Sequence, residues 1–240
     1  MINYVHGKNV GLSLIENQQT IHKVYLSQNA YSGQWQALIE KYELDYEIVD
    51  KNRLDVLSNF GNHQGIVFAI TEYQTISLAE LLAAVPQEEM GLLVILDGVT
   101  DPHNFGAILR NCDGAGANGV IISKHNAAPL NATVAKVSSG AIDNVKVAKV
   151  TNLVTAIKEL KDKGYWIIGC DETGTDLYSY KFDTPLVIII GSEGKGISRL
   201  VKENCDYLVS IPMFGKVSSL NASAAAAVIM YQIQHQRSLR

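Results

Sequence analysis

Six short apolar runs constrain this chain more than anything else in it: LLVILD (92–97), GVIIS (119–123), KVAKV (146–150), YWIIGC (165–170), PLVIII (185–190) and YLVSIP (207–212). A strand with one wet face alternates apolar and polar residues, whereas strands apolar at consecutive positions are covered on both faces. Helical stretches separate most of these runs. The pattern from Gly91 onward therefore predicts an open, mostly parallel sheet with helices on both faces. In such sheets ligands bind beyond the carboxyl ends of the strands, which directs attention to the segments after LLVILD, PLVIII and LVSIP.

Ahead of Gly91 the pattern is different. Residues 1–72 alternate helical stretches (VGLSLIEN, WQALIEKY, RLDVLSNF) with strand-like ones (HKVYLS, YEIV, GIVFAI), as expected of a small α/β domain. Residues 73–90 read as a linker around one short helix, SLAELLAAV, opened by Ser77 with Glu80 three residues on, the spacing of a capping box. The expected organisation is thus 1–72, a linker at 73–90, and a second domain at 91–240.

No run approaches the roughly 20 apolar residues of a membrane span, and the start, MINYVHGKNV, lacks the charged and apolar regions of a secretory signal. A cytoplasmic protein is expected. Cys112, Cys170 and Cys205 are widely spaced with no CxxC pair and read as reduced core residues. The six histidines, His103 and His125 among them, show no HxxxH or HxH spacing, so no metal site is expected. Residues 1–72 carry five Lys or Arg against eight Asp or Glu, and 73–240 carry fifteen against sixteen. Without a basic arm, any nucleic-acid partner must be held by a shaped groove and a few placed cations.

Two glycine motifs mislead. GAGANG (114–119) fits GxGxxG, but it ends a helix and precedes a strand, the reverse of a dinucleotide fingerprint. GSEGKGIS (191–198) has the composition of a phosphate loop, yet Lys195 precedes its last glycine and Ile197 follows it, which is not the Walker order. What remains is an ordered constellation: an Asn and an Arg after one strand, a Gly-rich turn carrying Glu193 after a second, and VSSLN before the small-residue helix NASAAAAVIMYQ after a third. Read alone, Ser218, Ser219 or Asn221 either caps that helix or meets a ligand at its start.

With these segments in order, the chain resembles the SpoU/TrmH family of RNA 2′-O-ribose methyltransferases, within the knotted SPOUT superfamily. NFGAILR (104–110), LVIIIGSEGKGIS (186–198) and IPMFGKVSSLNASAAAAV (211–228) carry the likeness across about 150 residues. GKNV (7–10) and NHQGIVFAI (62–70) resemble the RNA-binding domain of the 23S rRNA (guanosine-2′-O-)-methyltransferase branch.

The resemblance implies a C-terminal trefoil knot, a homodimer with the site near its interface, S-adenosylmethionine as methyl donor, and 23S rRNA or an assembling large ribosomal subunit as partner. It puts Arg110 at the reacting hydroxyl, with Asn104, Glu193, Ser219 and Asn221 as polar partners and Ser218 behind them. It places Gly191, Ile211 and Leu220 at the cofactor, with Met213, Gly194 and Gly196 nearby. A guanidinium stays protonated, so Arg110 is expected to hold a phosphate or a developing oxygen charge rather than act as a base. A tRNA methyltransferase of the same family and a non-catalytic ribosome-assembly protein are the alternatives.

Overall fold

The computed structural model describes residues 2–16, 20–71 and 73–239, and the chain forms two compact units, Met1–Gln74 and Thr75–Arg240. Asn17, at the end of the first expected helix, and Glu72, at the expected boundary, lie outside the described residues.

In the first unit, β1 (Ile2–His6), α1 (Lys8–Glu16), β2 (Ile21–Leu26), α2 (Gln34–Lys41), β3 (Tyr46–Ile48), α3 (Lys51–Leu57) and β4 (Ile66–Thr71) build a sheet of order β1-β4-β2-β3. The central strand β4 runs antiparallel to both neighbours. Its alternate residues Ile66, Phe68 and Ile70 join Val24, Leu26, Trp35 and Ile39 in one core. The rings of Trp35 and Phe68 lie 5.5 Å apart. They meet because Gly11 of α1 presents no side chain there: a Cβ at Gly11 would run into both rings.

The second unit holds α4 (Leu78–Ala83), β5 (Leu92–Asp97), α5 (Pro102–Gly114), β6 (Gly119–Ser123), α6 (Ala132–Ser138), α7 (Ala141–Asn144), β7 (Val147–Val150), α8 (Leu153–Asp162), β8 (Trp166–Asp176), β9 (Leu186–Gly191), α9 (Arg199–Lys202), β10 (Tyr207–Ser210) and α10 (Ala222–Ser238). The strand order is β10-β8-β9-β5-β6-β7, and each pairing is parallel. Alternate residues of each central strand enter opposite cores. Val94 and Leu96 pack with Phe105 and Ile108 of α5 and Ile229 of α10, while Leu93 and Ile95 pack with Leu81 of α4 and Ile157 of α8. Burial of each such side chain contributes about 1.5–3 kcal/mol, which is why these strands read as unbroken apolar runs.

Part of the expected linker is structural. Ile76 bridges to Ala148 of β7, Leu78 and Leu81 enter the core, and Ser77 and Glu80 make both hydrogen bonds of the capping box that opens α4. GAGANG ends α5 and starts β6: Gly116 takes φ +64° at the turn, and a Cβ on Gly119 would strike Leu81 and the Lys146 carbonyl. No helix among the described residues is long and apolar enough to cross a membrane.

Candidate active site

From β5 the chain winds through β6 to β7 on one side, then returns to build β8, β9 and β10 on the other. The order reverses between β5 and β9, where such sheets often leave a crevice, but the cavity here is lined from the ends of β8, β9 and β10 and not from β5. Asp97 at the end of β5 pairs with Gly191 at the end of β9, and its carboxylate accepts the Ser198 N–H at 2.7 Å, fixing the β9 turn against β5.

Asp101 caps α5, accepting from the backbone of His103 and Asn104, and Pro102 supplies a first helical residue that needs no N–H partner. This sets Asn104 in the first turn, 7% exposed, facing the β9 turn. Asn104 Nδ2 donates to Glu193 Oε1 at 3.1 Å. Asn221 caps α10: its Oδ1 accepts from the Ser223 and Ala224 N–H groups and from the Ser223 hydroxyl. Only its nitrogen then remains for the interior. That Nδ2 donates to Asn104 Oδ1 at 2.8 Å and to Glu193 Oε1 at 2.5 Å. Three strand ends are joined through three side chains.

Beside this cluster lies a cavity of about 600 Å³, within the range of small-ligand sites. Gly191, Glu193, Gly194, Gly196, Ile211, Met213, Ser218, Ser219, Leu220 and Asn221 all line it. Arg110 does not. It is exposed on α5, six residues beyond Asn104, which on a helix means about 9 Å along the axis and about 240° around it. Nor is Asn104 in the lining; it contacts the cavity's edge through Glu193 and Asn221.

Glycines suit such a turn either where the backbone approaches a ligand closely or where φ is positive, and the β9 turn shows the second cause at two positions and a different one at Gly191. A Cβ on Gly191 would collide with Gly196 and Ile197, because the turn folds back through paired Ser192 and Gly196. Gly194 and Gly196 take φ of +79° and +64° with open space around their Cα atoms, so they are conformational glycines.

Sequence reasoning missed one wall: Cys170, Asp171 and Glu172. Leu208 of β10 pairs with Gly169, but Val209 pairs with Thr175, so residues 170–174 leave the ladder and the first three of them line the cavity. Partial burial pushes the Asp171 carboxyl up, but Lys202 at 2.8 Å and the Thr173 hydroxyl and N–H outweigh it and hold it below its ordinary value. Burial, with the Asp171 charge beside it, pushes the Cys170 thiol up to about 11, so it stays protonated and poorly nucleophilic at neutral pH. The signal was the position of CDE at the carboxyl end of a parallel strand. Among the described residues no cluster of three or more His, Cys, Asp or Glu is placed to hold a metal ion.

A parallel sheet with a cavity at the carboxyl ends of β8, β9 and β10, closed by a capped helix start and edged by an Asn–Glu–Asn cluster, defines an α/β ligand-binding domain of the type that carries group-transfer enzymes. The chain belongs to the SpoU rRNA methylase family, whose model matches residues 91–231, and residues 4–76 match the RNA 2′-O ribose methyltransferase substrate-binding domain. It is 41% identical over 240 residues to YacO of Bacillus subtilis, provisionally named a TrmH family tRNA/rRNA methyltransferase, covering 98% of this chain and 96% of that one. A Staphylococcus haemolyticus protein with the same provisional description is 41% identical, covering 96% and 94%. Among solved structures, the SpoU methyltransferase AviRb of Streptomyces viridochromogenes, crystallised with the cofactor AdoMet, superposes with a TM-score of 0.66 at 25% identity, covering all of this chain and 92% of that one. The A. aeolicus TrmH/SpoU tRNA modifying enzyme gives 0.58 at 30% identity over 68% and 83%.

Proposed function

We propose that this chain methylates a ribose 2′-hydroxyl in RNA, with S-adenosylmethionine as donor and a guanosine of 23S rRNA, free or in an assembling large subunit, as the target. The observation that carries this reading is the cavity of about 600 Å³ abutting the Asn104–Glu193–Asn221 cluster. The lining suits the donor: Ile211, Met213 and Leu220 would offer apolar surface to an adenosine, while Glu172 and Glu193, with the Lys202-paired Asp171, give the wall carboxylates that suit a molecule carrying ammonium and sulfonium charges. When bound there, S-adenosylmethionine supplies an already activated methyl group. Gly191, Ile211 and Leu220 would hold it, with Gly194, Gly196 and Met213 shaping the turns around them.

The residues must then place the ribose hydroxyl and manage its proton. Glu193 Oε1 is occupied by the two asparagine amides, which fix the carboxylate in orientation, and Ser219 and Ser218 line the same cavity, Ser219 being the first candidate to offer its hydroxyl. Arg110 is the remaining part. Its position outside its own cavity supports a homodimer in which Arg110 of one protomer completes the other's site, gripping a phosphate or stabilising the developing oxygen charge. Residues 1–72 serve as the RNA-binding domain on this reading. The threading of the C-terminal chain into a trefoil knot, which the resemblance implies, belongs to this reading too.

A second reading, methylation of tRNA, is favoured by the likeness to the A. aeolicus tRNA modifying enzyme and by the tRNA/rRNA description of YacO. Mapping 2′-O-methylation across rRNA and tRNA in cells with and without the gene decides between them. Loss of one rRNA site supports the proposal, loss of a tRNA site supports the second reading, and no loss overturns both.

A further inference from the structure

A second concave site lies at the opposite end of the sheet. Trp166, Leu186 and Tyr207 are the first residues of β8, β9 and β10, and together with Tyr180, Lys181 and Asp183 they line a groove of about 480 Å³. Trp166 and Tyr207 stack at 5.4 Å with ring planes 16° apart, and Tyr180 meets Tyr207 edge-on at 4.9 Å. Although stacked, Trp166 is 42% and Tyr207 39% exposed, so ring surface remains uncovered. The wall is held in place. Gln236 of α10 bonds the backbone of Tyr180 and Phe182, and Arg237 donates to the Thr184 carbonyl at 2.7 Å. Leu186 and Gly191 are five residues apart on β9, so the groove stands about 17 Å from the cavity of the candidate active site.

We propose that this groove binds an unpaired nucleobase of the RNA substrate, stacked on the Trp166–Tyr207 pair with Lys181 at the adjoining phosphate. The inference rests on the RNA reading above but concerns a site separate from the catalytic one. The chain carries a net charge of −4 and no basic arm, so phosphate neutralisation alone cannot hold RNA. Aromatic platforms supply that missing affinity, because every base has a π-face and stacking tolerates any sequence. One lysine beside uncovered rings, with Asp183 also in the lining, favours a base with a single phosphate over a multiply phosphorylated stretch. A duplex keeps its bases stacked and cannot enter.

The chain has two tryptophans, Trp35 being buried in the first unit, so the part of the quenching that a Trp166→Leu variant loses reports on Trp166. The full-length protein is titrated with single-stranded oligoadenylate, with the same strand in a duplex, and with AMP. Expected are saturable quenching by the single strand and by AMP, which carries the one base and one phosphate the groove takes, and little by the duplex. By anisotropy of labelled oligoadenylate, Tyr207→Leu and Trp166→Leu each weaken binding by about tenfold or more. Lys181→Ala, an exposed change that leaves the fold intact, weakens it less and lowers the salt slope by about one. Equal quenching by duplex, no quenching by either the single strand or AMP, or protein-concentration-dependent burial of Trp166 without RNA, which marks a second copy in the groove, each overturns the proposal. RNA methylation is assayed in parallel. Wild-type activity with unchanged affinity in all three variants sinks this inference and leaves the methyltransferase reading standing, whereas absence of methylation with intact oligonucleotide binding sinks that reading instead.

Discussion

Asn221 joins Glu193 at 2.5 Å through its amide nitrogen while its oxygen caps α10, so one side chain both orders a helix and orients a carboxylate. These two duties separate by substitution. Asn221→Ser keeps a good cap and removes the nitrogen, and is expected to cost little stability while lowering methyl transfer at least tenfold. Asn221→Ala loses both and unfolds about 1 kcal/mol more easily. Thermal denaturation alongside a methylation assay checks it; wild-type activity in the Asn221→Ser variant would remove the orienting role.

The β9 turn offers a contrast between glycines. Gly191→Ala drives a Cβ into Gly196 and Ile197, so the turn must move and the cavity change shape; binding of S-adenosylmethionine is expected to fall by more than tenfold. Gly194→Ala meets no neighbour and suffers only its φ of +79°, a strain of about 1–2 kcal/mol. Calorimetric titration of both variants tests this, and equal binding losses would argue against the collision.

These glycines show where sequence reading stops. The strands from Leu92 onward were legible because burial on both faces leaves an unbroken apolar signature, and Asn104, Glu193 and Asn221 stood out as polar residues following such strands. The cause of Gly191 was not legible, since a turn folding back on itself and a turn approaching a ligand need the same residue. Strand β1 went unseen because INYVH is an edge strand whose residues are all exposed or half-buried and carry no apolar run. Residues 170–174 were hidden because the register shift between β8 and β10 is set by how two distant segments pair. The placement of Arg110 depends on the face of α5 that turns outward, which spacing gives only relative to its neighbours.

Asp171 links the cavity wall to acid stability. Its folded carboxyl sits below the ordinary value of 3.8, so its pairing with Lys202 stabilises the fold above that pH and is lost as pH falls through the lower folded value. Urea midpoints for wild type are expected to drop more steeply below pH 4 than those of Asp171→Asn. Parallel curves would mean that the pair contributes no pH-dependent stability.

In the first unit, Gly11→Ala would press a methyl group against Phe68 and Trp35, overpacking worth about 1–3 kcal/mol. Because the chain forms two compact units, the loss should appear in the first unit's unfolding, followed by Trp35 emission in a Trp166→Phe background. S-adenosylmethionine binding by the second unit should persist at temperatures where the first has unfolded. Loss of both together would show that the units unfold as one.

Arg110 supplies the sharpest test of the proposed assembly. If it acts within its own chain, a protomer lacking it and a protomer with a damaged cavity are both dead, and mixing them changes nothing. If it reaches the cavity of a second copy, a mixed dimer of Arg110→Ala and Asn221→Ser protomers joins one intact cavity to one intact arginine, because a two-fold interface presents the same surfaces from both sides. Random exchange of subunits then restores about a quarter of the sites. Co-refolded variants recovering activity toward that fraction, with each alone inactive, would place Arg110 across the interface. Recovery no greater than the sum of the separate variants would return it to its own chain, where α5 holds it on the exposed face outside the cavity. In that case Arg110 would serve RNA binding rather than the reacting hydroxyl.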